Sequence, residues 1–476
     1  MKLKFIQEPQ LEFGQSLHFC PKKGIADFDA YDIRFTNRRT DTYIAVVGSN
    51  ENIDKFLAWI EKCQSYISPK AKSRQPNLFT SFCGFNMNSG FKSTLIANKD
   101  LSRSITNQDI KRITDITDWD KRLTECAEMY LSHIRYLAID KNADMVVCVI
   151  PAKLQSKITK PSTQAVEETL EGVVKEDQKI ETDFRRLLKA MAMQIGKPIQ
   201  LMLQDSLEDY KEKSGRQDDA TKAWNFCTAL YYKTNHTPWR LIRDNSKVTT
   251  CFVGISFYRS RDKKQVHTSL AQLFDDLGNG VILRGSPVDI SKDDRQPHLK
   301  AAQAQSLLRG VIKEYQDIHK TTPARVVIHK TSNFNDEEMQ GFYEAAQELR
   351  ISLMDYITIL DSDTRLFRNG LYAVQRGSHI EIDNKTHLLF TKGSIEFYQT
   401  YPGLYVPRPI EIRIVESDES ADTICNEIMS LTKMNWNNTQ IDCKYPITID
   451  CARRVGLIMK YIDQDVKPQT KYSFYM

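Results

Sequence analysis

Three stretches of this chain have the length of a strand and an apolar run without regular alternation: DMVVCVI at 144–150, VTTCFVGISFY at 248–258 and ARVVIHKT at 324–331. A strand with one wet face alternates apolar and polar residues. One without that alternation is covered on both faces, as parallel strands are when crossover helices flank them. Helical patterns stand beside these runs, so the expected layers are helix, sheet, helix.

In the first half, TYIAVVG at 42–48 predicts a strand. Residues 52–67 predict an amphipathic helix with Ile53, Phe56, Leu57, Ile60 and Ile67 on one face and Pro69 just beyond its end. FTSFCGF at 79–85 predicts another strand, and 118–138 a helix with acidic residues early. The polar, mixed-charge stretch 153–183 reads as a surface insertion or linker running into a helix over 184–195. A strand at 198–203 and a helix at 220–233 follow. The chain is α/β, and this rhythm predicts a mostly parallel, Rossmann-like sheet for a first domain at about 1–240. Residues 1–9 read as an edge strand.

A second domain, about 241–476, opens with strands at 248–258, 265–273 and 280–284. A long helix over 297–320, a strand at 325–329, a helix at 336–349 and a strand at 352–360 come next. Strand-rich stretches at 371–391 and 403–416 lead to two terminal helices. Three strands, a helix, a strand and further helices is the order of an RNase H-like fold.

At 476 residues the chain has room for about two to four domains. Its 66 Lys+Arg against 61 Asp+Glu give a net charge of +5, which allows a polyanionic partner without demanding one. There is no apolar run of about 18 residues or more, so no membrane span is expected. The ten cysteines are scattered singly, without zinc spacing, and most lie in apolar runs. That usage, with no secretion signal at the start, predicts a cytoplasmic location. His329 and His379 have no nearby Ser or Cys partner in sequence, so no hydrolase triad is expected, and no phosphate-loop pattern supports NTP hydrolysis.

One ordered set of strings carries a family resemblance: VGISFYRS, GVILRG, ARVVIHKTSNFNDEE, PGLYVPRPIEIRI, LTKMNWNNTQ and YPITIDCARRVGLIMKYI. Their order and spacing over roughly 230 residues resemble the PIWI domain of Argonaute proteins, and the first half resembles the MID domain that precedes it. The resemblance covers essentially the whole chain and leaves no room for a PAZ domain, so it is to the short prokaryotic Argonautes.

Cleaving members hold two Mg²⁺ ions about 4 Å apart on a carboxylate tetrad. The resemblance puts the first position on Ser256, the third on Thr331 and the fourth on Arg453. The second falls near His298 to Lys300, where no acid is in register, although Asp293 and Asp294 are close in sequence. Two hydroxyls and a cation cannot hold paired Mg²⁺, so the expectation is an inactive PIWI domain and no enzyme activity in this chain. The alternative is a guide-directed, Mg²⁺-dependent nuclease with a non-standard carboxylate set.

The same resemblance implies a pocket for a guide 5′ phosphate built from Arg185, Lys189, Gln200 and Lys233. Arg185 and Lys189 are spaced to share one helix face; the plain alternative is a solvated face. The aromatic end KYSFYM implies that the Met476 carboxylate tucks into this pocket and helps ligate a Mg²⁺ shared with the guide phosphate, a role compatible with simple packing of Phe474 and Tyr475. Arg259, Arg261, Lys263 and Lys264 are candidates for backbone contacts. The implied function is guide-RNA-directed recognition of single-stranded target DNA. Output would come from an APAZ-containing effector protein, with a TIR or sirtuin-like NAD-consuming domain or a nuclease, held as a heterodimer that could oligomerise on target binding. The implied role is prokaryotic immunity by abortive infection. A scaffold of this fold with no guide is the remaining class.

Overall fold

A computed structural model describes the chain except residues 72, 74, 160–182, 209–216, 243–247, 263, 275–279, 368, 371, 402–405, 442 and 464–465. Most of the expected insertion, and Lys263, therefore lie outside the described residues.

The first lobe is built on a parallel sheet in the order Thr94–Ile96, Asp41–Gly48, Met145–Ile150, Ile199–Leu203, with Ser102–Ser104 also paired to Asp41–Gly48. All six residues of Met145–Ile150 are buried. Alternate side chains serve opposite layers: Val147 and Val149 join a core with Phe56, Trp59 and Trp224, while Val146 and Cys148 join one with Tyr130, Leu187 and Leu188. The helices Asn50–Gln64, Trp119–Arg135, Phe184–Ala192 and Asp219–Lys233 begin at Ser49, Asp118, Asp183 and Asp218, whose side chains each accept a backbone N–H from the first turn.

FTSFCGF does not form the expected strand. Phe82 alone pairs, with Ile67, and the chain turns at Gly84 with φ 86°. Its apolarity serves a plug instead, with Phe82 5.0 Å from the Trp224 ring and Phe85 stacked 4.6 Å from Phe91. A buried loop and a buried strand have the same composition, and only the turn at Gly84 separates them.

The second lobe centres on parallel strands Thr250–Arg259, Arg325–Lys330 and Leu353–Asp361. Val266–Phe274, Gly280–Ile290 and Pro297–His298 extend this sheet antiparallel on one side. The long helix starts at Ala301, because Pro297 and His298 pair back onto Ile290 and Asp289. On the other side come Ile410–Glu416, Thr386–Leu389, Ser378–Glu381 and, at the far edge, Lys2–Phe5. The N-terminal strand is thus an edge strand, but of the second lobe's sheet, and the boundary at 240 is crossed by the chain's own start.

The two lobes share one apolar core. Trp239 Nε1 donates to Lys433 O at 3.0 Å, and Trp436 Nε1 to Trp239 O at 3.1 Å. Helix Ile447–Met459 lies across Thr250–Arg259 so closely that a Cβ on Gly254 would fall 2.2 Å from Thr448 O. No helix of the described residues is long and apolar enough to cross a membrane.

Gly254→Ala should force that helix off the sheet and destabilise the fold by about 1–3 kcal/mol. Gly310→Ala, in helix Ala301–His319 with only Leu283 in ordinary contact at 3.4 Å, should instead stabilise by up to about 1 kcal/mol. Denaturant unfolding of the two variants checks the opposite signs.

Candidate functional site

Three of the five expected pocket residues, Gln200, Lys233 and Met476, meet in direct contacts; Lys189 bonds the adjoining Tyr475, and Arg185, which is exposed, acts on the lysines through its charge. Lys233 is the last residue of its helix and 1% exposed; its Nζ donates to Ile199 O at 3.2 Å, to Gln200 Oε1, and to Met476 O at 3.4 Å. Lys189, 3% exposed, donates to Tyr475 O at 3.4 Å. Arg185, one turn before Lys189, repels both lysines. The segment Tyr472–Met476 is buried, so its side chains pack in the core while its main-chain oxygens line the pocket.

A further cation was missed in the sequence. Arg454, on helix Ile447–Met459, acts on Arg185 and Lys189 and is held by Asp450 at 2.9 Å. The available signal was the Asp450/Arg454 i,i+4 spacing within CARRVG, but choosing between Arg453 and Arg454 requires the phase of the helix.

Burial, then Arg185, Lys233 and Arg454, push the Lys189 ammonium well below its ordinary range. Burial first, and Arg185 second, bring Lys233 down to about 7. Burial also lowers Arg185, whereas Asp450 raises Arg454. Buried like charges are costly, and an anion placed among them reverses the cost. Gln200 Oε1 and Met476 O, the protein oxygens that a Mg²⁺ could use, both face Lys233 Nζ. With cations around them they fit an ammonium group and not a divalent ion.

At the cleft, Ser256 is 4% exposed, and Thr331 N donates to Ile255 O at 3.1 Å, which makes the first and third positions neighbours. Arg453 lies 4.0 Å over the Tyr445 ring and 4.0 Å from Asp361 Oδ2. In the segment of the second position, His298 lies 2.9 Å from Asp294 and 3.3 Å from Glu338. Glu338 also takes Lys330 Nζ at 2.6 Å, both groups being fully buried. Glu338 is thus occupied by Lys330, and Asp294 by the His298 ring. Among the described residues no three His, Cys, Asp or Glu side chains are arranged to hold a metal ion. His329, brought down to about 3 by burial and then by Arg325, is a packed residue bonded to Thr448. Arg261 pairs with Asp120 at 3.4 Å, near the Tyr461 ring.

No protein-family model matches the chain. A curated relative, the Argonaute of Aquifex aeolicus, is 22% identical over 256 residues, 53% of this chain and 33% of that protein. The structure of Clostridium butyricum Argonaute bound to a guide DNA and a 19-mer target DNA superposes with a TM-score of 0.67 at 15% identity, over 99% of this chain and 54% of that one. In sequence and in fold the chain is similar to Argonaute proteins. Marinitoga piezophila Argonaute, in complex with a 5′ OH guide RNA, matches with a TM-score of 0.58 at 12% identity, over 100% of this chain and 59% of that one. The chain therefore spans about a third of the curated Argonaute and somewhat over half of the solved ones. The two lobes have the mixed α/β fold of the Argonaute MID and PIWI domains.

The Lys233 shift has a definite sign. Its folded value lies below the ordinary 10.5, so burying it costs most below pH 7, and the cost fades as pH rises from about 7 toward 10.5. The ligand-free wild type should gain thermal stability relative to Lys233→Met across that window. Anion binding should run the other way, strongest below pH 7 and weakening above it as the lysine loses its proton. Melting curves and phosphate titrations at pH 6 to 9 check both slopes.

Proposed function

We propose that this chain holds a short guide RNA by its 5′ phosphate and uses it to recognise single-stranded target DNA without cutting it. The supporting observation is the pair of buried lysines, Lys189 and Lys233, with Gln200 beside them and the more exposed Arg185 and Arg454 acting on them. A terminal phosphate carries more charge and more free oxygens than an internal one, and charge-assisted hydrogen bonds from lysine and arginine select for it. A 5′ hydroxyl would leave the lysines unneutralised, so the charge balance favours a phosphorylated guide. Base pairing then reads sequence while the protein grips backbone and duplex shape.

The absence of cleavage is supported by Ser256 and Thr331, which offer hydroxyls, and by Arg453, which offers a cation. The output is assigned to an APAZ-containing effector in a heterodimer, with a NAD-consuming TIR or sirtuin-like domain or a nuclease, acting in prokaryotic immunity. The expected Mg²⁺ enters this reading only with the guide, whose phosphate oxygens would have to supply its negative ligands beside Met476. The competing reading, a nuclease using Asp293 or Asp294, predicts Mg²⁺-dependent product from the purified chain that Asp294→Asn abolishes.

Removing the 5′ phosphate, or making Lys189→Ala or Lys233→Glu, should weaken guide binding by about tenfold or more in equilibrium binding. Unchanged affinity in all three would sink the reading. Chelating divalent ions should change guide affinity by less than about twofold if Lys233 does the work of the ion. A large loss on chelation would assign Mg²⁺ to Met476.

A further inference from the structure

Strand Lys2–Phe5 is the outer edge of the ten-stranded sheet, all four of its residues are exposed, and among the described residues no strand pairs with its free side. Its pairing with Ser378–Glu381 is antiparallel, and Ile6 N donates to Gly377 O at 2.9 Å. Main-chain groups alternate in direction along a strand, so Lys2 and Lys4 turn inward with Ile6, while Leu3 and Phe5 present N–H and C=O to solvent. The side chains alternate as well. Leu3 stands opposite Ile380, which pairs with Leu388, and both of these belong to a small apolar cluster with Val374 and Phe390. That face runs out to water at Leu3, 71% exposed, and Phe5, 45% exposed, with Ile382 exposed beside them. The other face carries Lys2 and Lys4, which reach back to Glu381, and Lys4 also reaches Asp422 at 2.9 Å.

We propose that this edge is completed by an extended segment of a second protein, apolar at alternate positions and acidic between them. An added strand takes up the free N–H and C=O groups of Leu3 and Phe5, and its apolar residues cover their side chains. Charge selects the occupant. A second copy of this chain would set its own Lys2 and Lys4 beside this pair, and like charges on neighbouring strands are destabilising. Lysines at an edge therefore guard against self-pairing. An acidic segment reverses the sign, since Lys2 and Lys4 become its cross-strand neighbours while Glu381 lies one strand further away. The same two residues thus reject one partner and favour the other. This goes beyond the guide-directed reading and does not depend on it, because the strand contributes nothing to the guide pocket.

The probe is a short fluorescein-labelled peptide alternating valine and glutamate, titrated onto the untagged full chain and read by anisotropy. It should bind about tenfold or more tightly than a peptide alternating valine and lysine. Leu3→Pro removes one outward donor and leaves the pairing with Ser378–Glu381 in place, so it should weaken binding by about fivefold or more with the melting temperature kept. Lys2→Glu should narrow or invert the preference between the two peptides. Equal affinity for both peptides, or affinity unchanged in Leu3→Pro, overturns the proposal. Sedimentation equilibrium of the wild type should show no dimer held by this edge. A dimer that Leu3→Pro dissolves would make a second copy the occupant and overturn the proposal as well.

Discussion

Cations buried side by side are the constraint on which this molecule turns. Lys189 and Lys233 lie under the junction of the lobes with Arg185 and Arg454 beside them, and the carboxylates acting there are Asp183 and Asp450. Such an arrangement opposes folding, since the two lysines are desolvated and repelled by each other and by Arg185. It persists because the apolar core shared by the lobes offsets it, with Tyr472, Phe474, Tyr475 and Met476 wedged among its members. The pocket is drawn from both halves of the chain, so neither lobe could form it alone. A ligand that neutralises it therefore stabilises the junction as well as the site, through ordinary binding linkage.

What the sequence made legible follows from what periodicity can report. DMVVCVI is readable because both faces of a central parallel strand are covered, which abolishes alternation. FTSFCGF has the same composition and is a plugged loop, because burial of aromatic rings leaves no periodic trace over seven residues. The first strand reads as an edge, but its partner is 376 residues away in sequence, at Ser378–Glu381, and no local pattern encodes that pairing. In the pocket, Arg185, Lys189, Gln200 and Lys233 follow from the family resemblance, and helical spacing adds only that the first two share a helix face. Arg454 stayed hidden behind its neighbour Arg453, because adjacent residues on a helix point about 100° apart and the phase is set by packing against Gly254.

The cleft keeps its shape without depending on metal ligands. Buried ion pairs hold the strands: Arg325 bonds Asp355 at 2.6 Å and Glu427 at 2.6 Å, and Lys330 bonds Glu338 at 2.6 Å. Breaking any of these would leave an uncompensated charge in the interior, a larger penalty than the loss of a surface pair. Glu338 also accepts the backbone N–H of Leu299, so one carboxylate ties the segment beside Asp294 to the end of strand Arg325–Lys330. Glu338 is therefore committed to structure.

Helix Ile447–Met459 joins two sites. Arg454 acts on the buried lysines at one, Arg453 lies beside Asp361 and Tyr445 at the other, and Thr448 seals the rod against the central strand. Occupation of one site can influence the other only if the helix sits differently in the two states and each ligand prefers one of them. A rod seated on Gly254 with no space for a single methyl group has little freedom to slide, so small shifts at one end are carried to the other and not absorbed between them. Under the function proposed above, a rigid element of this kind is where recognition would be converted into a change that a partner could detect.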